Sequence, residues 1–157
     1  MERFGDSVDS LTRIDPGQVY KIRSRTEHHI YENARSHEFM AALTKFSRDG
    51  DRAGLKEAGD CMYASHWSYG QRCGLGSIET DLLVNWIRRS GESAGIHGAK
   101  ISGRGCGGVV TVLMDATEPA RLALDQAVRH YQQQSGHTPS ILRGAVDGAW
   151  HTGVIRA

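Results

Sequence analysis

A chain of 157 residues with 39% hydrophobic composition can bury one ordinary core, and it has no room for a second domain of enzyme size. Lys and Arg total 19 against 18 Asp and Glu, so the net charge of +1 gives no general attraction to nucleic acid or to an anionic membrane surface. Cys61, Cys73 and Cys106 form no C-x-x-C pair, and there is neither a signal-peptide pattern nor an apolar run of about 18 residues, which points to a reduced, cytoplasmic setting.

Residues 1–19 contain Gly5, Pro16, Gly17 and scattered acids without a period of a helix or a strand, and they read as a lead-in segment open to disorder before a domain at 20–157. From Thr26 to Phe46 the pattern is helical. Ile30, Ala34 and Ala41 lie on one side and Phe39, Leu43 and Phe46 widen the apolar face, as in a helix covered on more than one side. Asp49-Gly50-Asp51 supplies a stop and a new start. In the second helix Leu55, Ala58, Met62, Ser65 and Tyr69 recur at spacings of three and four, and Gly70 to Gly76 should end it. Ser77 is placed as an N-cap, with Glu79 and Asp81 complementing the dipole of a third helix. That helix buries Leu82, Leu83, Trp86 and Ile87 and ends at Arg88, Arg89 and Gly91.

Five glycines fall between Gly98 and Gly108, and Val109 to Met114 follows as a strand apolar on both faces, the pattern of a buried central strand. Gly103, Gly105 and Gly108 spell G-x-G-x-x-G, but the dinucleotide fingerprint requires a helix next and here a strand follows. Thr117-Glu118-Pro119 opens a fourth helix with Ala120, Leu124, Val128 and Tyr131 inward, closing near Gly136 before Pro139. Ile141 to Val146 and Thr152 to Ile155, across Asp147-Gly148, read as a terminal hairpin. Three or four strands with helices segregated around them make an α+β sandwich.

The glycine run is either a plain tight hairpin or a binding loop, since successive N–H groups in a glycine turn form a concave anion site. Arg104 within it has two opposite readings: backbone strain if φ is positive, or a guanidinium that pairs with phosphate. Cys73-Gly74-Leu75-Gly76-Ser77 leads into a helix N-terminus suited to an anion or a polar sugar, or is an ordinary capped connection. Ser68, Tyr69, Gly74, Gly76 and Ser77 are the candidates for sugar or cleft contacts, while Ser65 and Tyr69, on the apolar stripe, also fit hydrogen bonds inside the core. No H-E-x-x-H or Cys/His cluster sets metal-ligand spacing, His66 and His97 read as structural, and Cys106 has no recognisable His base. No catalytic residue is assigned.

Gly98-Ala99-Lys100-Ile101-Ser102-Gly103 and Gly105-x-Gly107-Gly108, followed by a valine strand, resemble the third motif of the GHMP small-molecule kinases. Met62 to Tyr69, Cys73 to Ser77 with Thr80-Asp81, His28-x-Ile30-Tyr31-Glu32 and Gly136-His137-Thr138-Pro139 are similar to the galactokinase branch and its L-arabinokinase members. The resemblance runs from about Phe4 to Arg156 and covers the C-terminal half of such a kinase. It implies a ferredoxin-like two-layer sandwich, an antiparallel sheet with helices packed on it. It also implies a nucleotide or phosphate loop at Ser102, Gly103, Arg104, Gly105, Cys106, Gly107 and Gly108, with ATP, Mg2+ and a monosaccharide as ligands of the complete enzyme. Arg104 stands where the family has a further small residue, and the first two motifs and the usual catalytic Asp match nothing here. The chain is therefore expected to be inactive alone, its partner being an N-terminal kinase half in cis or in another chain, or a second copy. The rival reading is a metabolite-binding or regulatory module that kept the fold and lost catalysis.

Overall fold

The computed structural model describes residues 13–105 and 108–144. Four helices and one antiparallel hairpin follow the chain as α1 (Ile22–Asp49), α2 (Ala53–Ser68), α3 (Ile78–Ser90), β1 (Ile96–Ile101), β2 (Val110–Met114) and α4 (Glu118–Ser135). The architecture is α+β. No helix among the described residues is long and apolar enough to cross a membrane.

Of the 1–19 lead-in, the described part folds back on itself. Asp15 caps its own turn by accepting from Gly17 N–H at 2.8 Å, while Gln18 N–H reaches the Asp15 carbonyl at 3.1 Å. α1 runs further at both ends than its periodicity suggested and stops at Gly50, whose φ of 68° is open to glycine at little cost. Asp51 then accepts from Ala53 N–H at 2.9 Å and starts α2. The expectation that α1 is covered on more than one side is corrected: only His28 and Ala42 are fully buried, and Ile30 and Met40 stand 62% and 61% exposed. α1 docks on α2 and the turn after it, so its far face meets solvent.

α2 ends at Ser68, and the chain continues through a π-helical turn, Tyr69–Cys73, before it stops at Gly74, within the stretch expected to break the helix; φ there is 66° and both Gly74 and Leu75 N–H groups reach back to Gly70 and Tyr69 carbonyls at 3.0 Å. α3 begins with a reciprocal cap: Ser77 Oγ accepts from Thr80 N–H, and Thr80 Oγ1 accepts from Ser77 N–H, each at 3.2 Å. Ser77→Ala should therefore lower stability by about 1 kcal/mol. A urea midpoint unchanged from the parent would show that the cap contributes nothing.

β1 and β2 pair with Ile101 opposite Val110 and Ala99 opposite Val112, with an irregularity between Ile96 and Gly98. Ile96 and Ala99 carry the core, together with Val84 and Ile87 of α3 and Leu124 and Ala127 of α4, and Val110, Val112 and Met114 pack against it. The buried strand is β1, contrary to the expectation for 109–114. β2 is only half-buried because β1 is its sole partner among the described residues, and its Thr111 is exposed. In α3, Val84 takes the core position expected of Leu82, and in α4 Ala127 lies deeper than Val128. On the Gly98 side α2 comes into backbone contact, a Cβ on Gly98 falling 2.6 Å from the Gly59 Cα. Gly98 thus belongs to strand packing and not to the loop. Ile141–Gly144 carries no strand, and the rest of the expected terminal hairpin lies outside the described residues.

Candidate functional site

The two glycine-rich turns singled out in the sequence, Gly74 to Ser77 and Ser102 to Val109, meet at the ends of α2, α3 and the hairpin. Gly76 N–H donates to the Gly105 carbonyl, and Ser102 N–H donates to the Val109 carbonyl at 2.9 Å, closing the second turn at its base. Gly103, Gly105 and Gly108 have φ of 76°, 71° and 102°, a conformation costing other residues about 1 kcal/mol or more. Among the described residues only glycines have positive φ, so Arg104 is exposed without that strain. Cys106 and Gly107 lie outside the described residues.

Tyr69 is the wedge between the turns. A Cβ on Gly105 would sit 2.5 Å from Tyr69 Cδ1, so the glycine lets the loop rest on the ring, and Leu75 closes from the side. Lys100 Nζ lies 5.4 Å from the centre of the same ring, and His28 meets it edge-on at 4.8 Å. Burial raises the Tyr69 hydroxyl above its ordinary range, and the Glu32 charge adds to this.

Ser68 is fully buried and paired with His28 Nδ1 at 3.0 Å, so of the proposed sugar contacts this hydroxyl belongs to the core. Ser77 is occupied in the α3 cap. The Glu79 backbone N–H and the Ser77 side chain hold the Glu79 carboxyl below the ordinary range, and its charge complements the α3 dipole. Gly74 faces away from the loop pair, toward Arg25, whose Nη2 would lie 3.4 Å from a Cβ there.

Four residues not singled out as site candidates, Glu32, Arg35, Ser65 and Lys100, hold the loop's near end. Lys100 Nζ lies 3.8 Å from Glu32 Oε2, Ser65 Oγ donates to the same oxygen at 2.5 Å, and Arg35 pairs with Glu32 Oε1. Burial alone would raise the Glu32 carboxyl, but the Ser65 and Arg35 hydrogen bonds with the Lys100 charge hold it below its ordinary range. These groups border a cavity of 280 Å3 that reaches Ser102 and Thr111. Glu32 and Lys100 both sit in stretches that carry the family resemblance, yet helical period alone marks neither, because their partners lie far away in sequence.

His66 joins the loop to α3. Its Nδ1 accepts from Ile101 N–H at 3.2 Å, which places the proton on Nε2, 3.3 Å from Asp81 Oδ1. Burial lowers the His66 pKa with Lys100 adding and Asp81 opposing; burial also lowers that of His28, with Glu32 opposing. For groups with a depressed folded pKa, stability is complete above the unfolded value of 6.5 and is lost as pH falls through the folded value. Urea midpoints should drop between about pH 7.5 and about pH 5.5, with a shallower drop in His66→Gln. Equal midpoints at both pH values would contradict this. At the far end of the hairpin His97 Nε2 meets Asp115 Oδ1 at 3.0 Å and Arg52 meets Oδ2 at 2.7 Å, a structural clamp. Among the described residues no three His, Cys, Asp or Glu side chains are arranged to hold a metal ion.

The profile of the family described as GHMP kinases C terminal matches residues 40–133, more than half of the chain. The L-arabinokinase of Arabidopsis thaliana is 32% identical over 162 residues, an alignment taking in 99% of this chain and 15% of that protein. The crystal structure of Lactococcus lactis galactokinase complexed with galactose superposes with a TM-score of 0.55 at 28% identity, over 76% of this chain and 28% of the galactokinase. The chain thus spans a minor share of each relative. With its hairpin, its glycine loop and its flanking helices accounted for in this way, the chain belongs to the C-terminal domain family of the GHMP kinases.

Proposed function

We propose that this chain forms one wall of a sugar-kinase cleft and that its glycine loop lies against the phosphates of ATP. The complete enzyme would join the anomeric oxygen of a monosaccharide to the γ-phosphorus, break the bond to the β-phosphate bridging oxygen and release ADP, with the hydroxyl proton passing to a base outside these 157 residues. The observation that carries this is the junction of the two glycine turns through Gly76 N–H and the Gly105 carbonyl, beneath a loop with three positive-φ glycines. Leu75, Ile78 and Val109 stand 38%, 83% and 56% exposed beside it, as expected of a face covered by the remainder of a kinase, in cis or from another chain. The donor set described here does not fit Mg2+, which would take oxygen ligands from elsewhere in the complete enzyme.

Calorimetric titration of ATP into the chain and into Arg104→Gly tests this reading, with ADP release from L-arabinose and galactose followed in parallel. Saturable ATP binding is expected, weakened about tenfold or more in the variant if the guanidinium serves phosphate, with no turnover by either protein. Since φ at residue 104 is ordinary, the variant should also lose up to about 1 kcal/mol of stability. Absence of ATP binding by both would sink the phosphate role and favour a retired loop; turnover by the chain alone would refute the single-wall assignment.

A further inference from the structure

A second concavity lies on the other side of Gly74. A groove of about 750 Å3, within the range of small-molecule sites, runs between the first turns of α1 and the π-helical turn Tyr69–Cys73. Lys21, Arg25, Arg72 and His29 line it, and among the described residues no Asp or Glu does. The cations differ in their commitments. Arg72 is 3.6 Å from Glu27 and stacked between Tyr31 and Trp67, its guanidinium carbon 4.8 and 5.0 Å from the two ring centres. Lys21 and Arg25, in contrast, meet no carboxylate among the described residues, and both are exposed. Arg25 lies beside Gly74, its Nη2 3.4 Å from where a Cβ there would stand.

Beside these two charges stand Val19, Ile22 and Ile30, which are 90%, 69% and 62% exposed and also line the groove. Two uncommitted cations alone would suit any inorganic anion. Cations next to exposed aliphatic walls suit an anion that carries an apolar body, because burying that body adds a gain which free phosphate cannot obtain.

We propose that this groove binds a phosphate monoester with an apolar or aromatic body, its phosphate between Lys21 and Arg25 and its body on Val19, Ile22 and Ile30. The site is separate from the glycine loop. It depends neither on ATP binding there nor on kinase activity.

The test uses the full chain and three probes: phenyl phosphate, inorganic phosphate and phenol, titrated calorimetrically. Phenyl phosphate is expected to bind measurably, inorganic phosphate at least about tenfold more weakly, and phenol undetectably. Lys21→Gln with Arg25→Gln should weaken phenyl phosphate by about tenfold or more at an unchanged melting temperature, since both side chains are exposed. Ile30→Ala should weaken phenyl phosphate and leave the inorganic ion little changed. Arg104→Gly should leave phenyl phosphate binding intact, and a loss confined to Arg104→Gly would move the site to the glycine loop and overturn the groove. Equal affinities for phenyl phosphate and phosphate would overturn the apolar wall. No saturable binding by the parent chain would overturn the proposal outright, whatever the ATP titration gives.

Discussion

Gly59→Ala is expected to unfold this protein or to cost at least about 3 kcal/mol, out of a total stability on the order of 5–15 kcal/mol. The ordinary effect of this change has the opposite sign, because alanine is favoured over glycine by about 1 kcal/mol in the interior of a helix. Here the added Cβ would lie 1.8 Å from the His97 carbonyl oxygen and 2.5 Å from its carbon. Those are backbone atoms in the buried strand, so relief requires lifting α2 off β1 and opening the contact that Gly59 makes with Gly98. Gly98→Ala should behave alike, its Cβ falling 2.6 Å from the Gly59 Cα. Gly70→Ala is the control: the nearest atom to its Cβ is the Leu75 carbonyl oxygen at 3.9 Å, so the change should be close to neutral. Urea unfolding of the three variants followed by circular dichroism decides the matter. A Gly59→Ala midpoint at or above that of the parent would mean that α2 does not approach β1 as described.

The same pair of glycines shows where sequence reasoning reached and where it stopped. All four helices were legible, because an amphipathic stripe and local caps such as Ser77 and Pro119 are written within a few residues of the structure they specify. The glycine loop was legible as a loop from its composition, and its family from the motif around it. Gly98 counts in the glycine run that precedes the valine strand because glycine content carries no record of cause: a glycine needed for positive φ, as at 103, and one needed for close approach, as at 98, look the same in a sequence. The extent of burial was misjudged for the complementary reason. Val109 to Met114 is apolar on both faces, but whether both are covered depends on neighbours distant in the chain, and α1 likewise exposes Ile30 and Met40. Ser68 beside Tyr69 was indistinguishable from a cleft hydroxyl until its partner, His28, forty positions earlier, was in place. Glu32, Lys100 and His66 escaped notice as site residues on the same ground, since each acquires its role by pairing elements that are far apart in sequence.

The second large effect is expected at Gly105, and its size separates the loop's own backbone strain from its contact with Tyr69. Gly103, Gly105 and Gly108 all have positive φ, so alanine at any of them should cost about 1–2 kcal/mol through the left-handed backbone alone. At 103 and 108 no described residue lies within 4 Å of the added Cβ, and that figure should be the whole effect. At 105 the Cβ would also meet Tyr69 at 2.5 and 2.7 Å, so the ring must swing or the loop must lift, adding about 1–3 kcal/mol. Lifting the loop would also stretch the hydrogen bond from Gly76 N–H, so both glycine turns should respond to one substitution. Hydrogen exchange should then show faster exchange at Gly76 in Gly105→Ala and a parental rate in Gly103→Ala. Tyr69→Ala removes the ring at its own cost in lost packing, and in its background the excess at 105 should fall to the backbone share, a coupling of roughly 1 kcal/mol or more in a double-mutant cycle. Equal costs at 103 and 105, or additive effects of Tyr69→Ala and Gly105→Ala, would show that the loop does not rest on this ring, and the junction of the two glycine turns would lose its support.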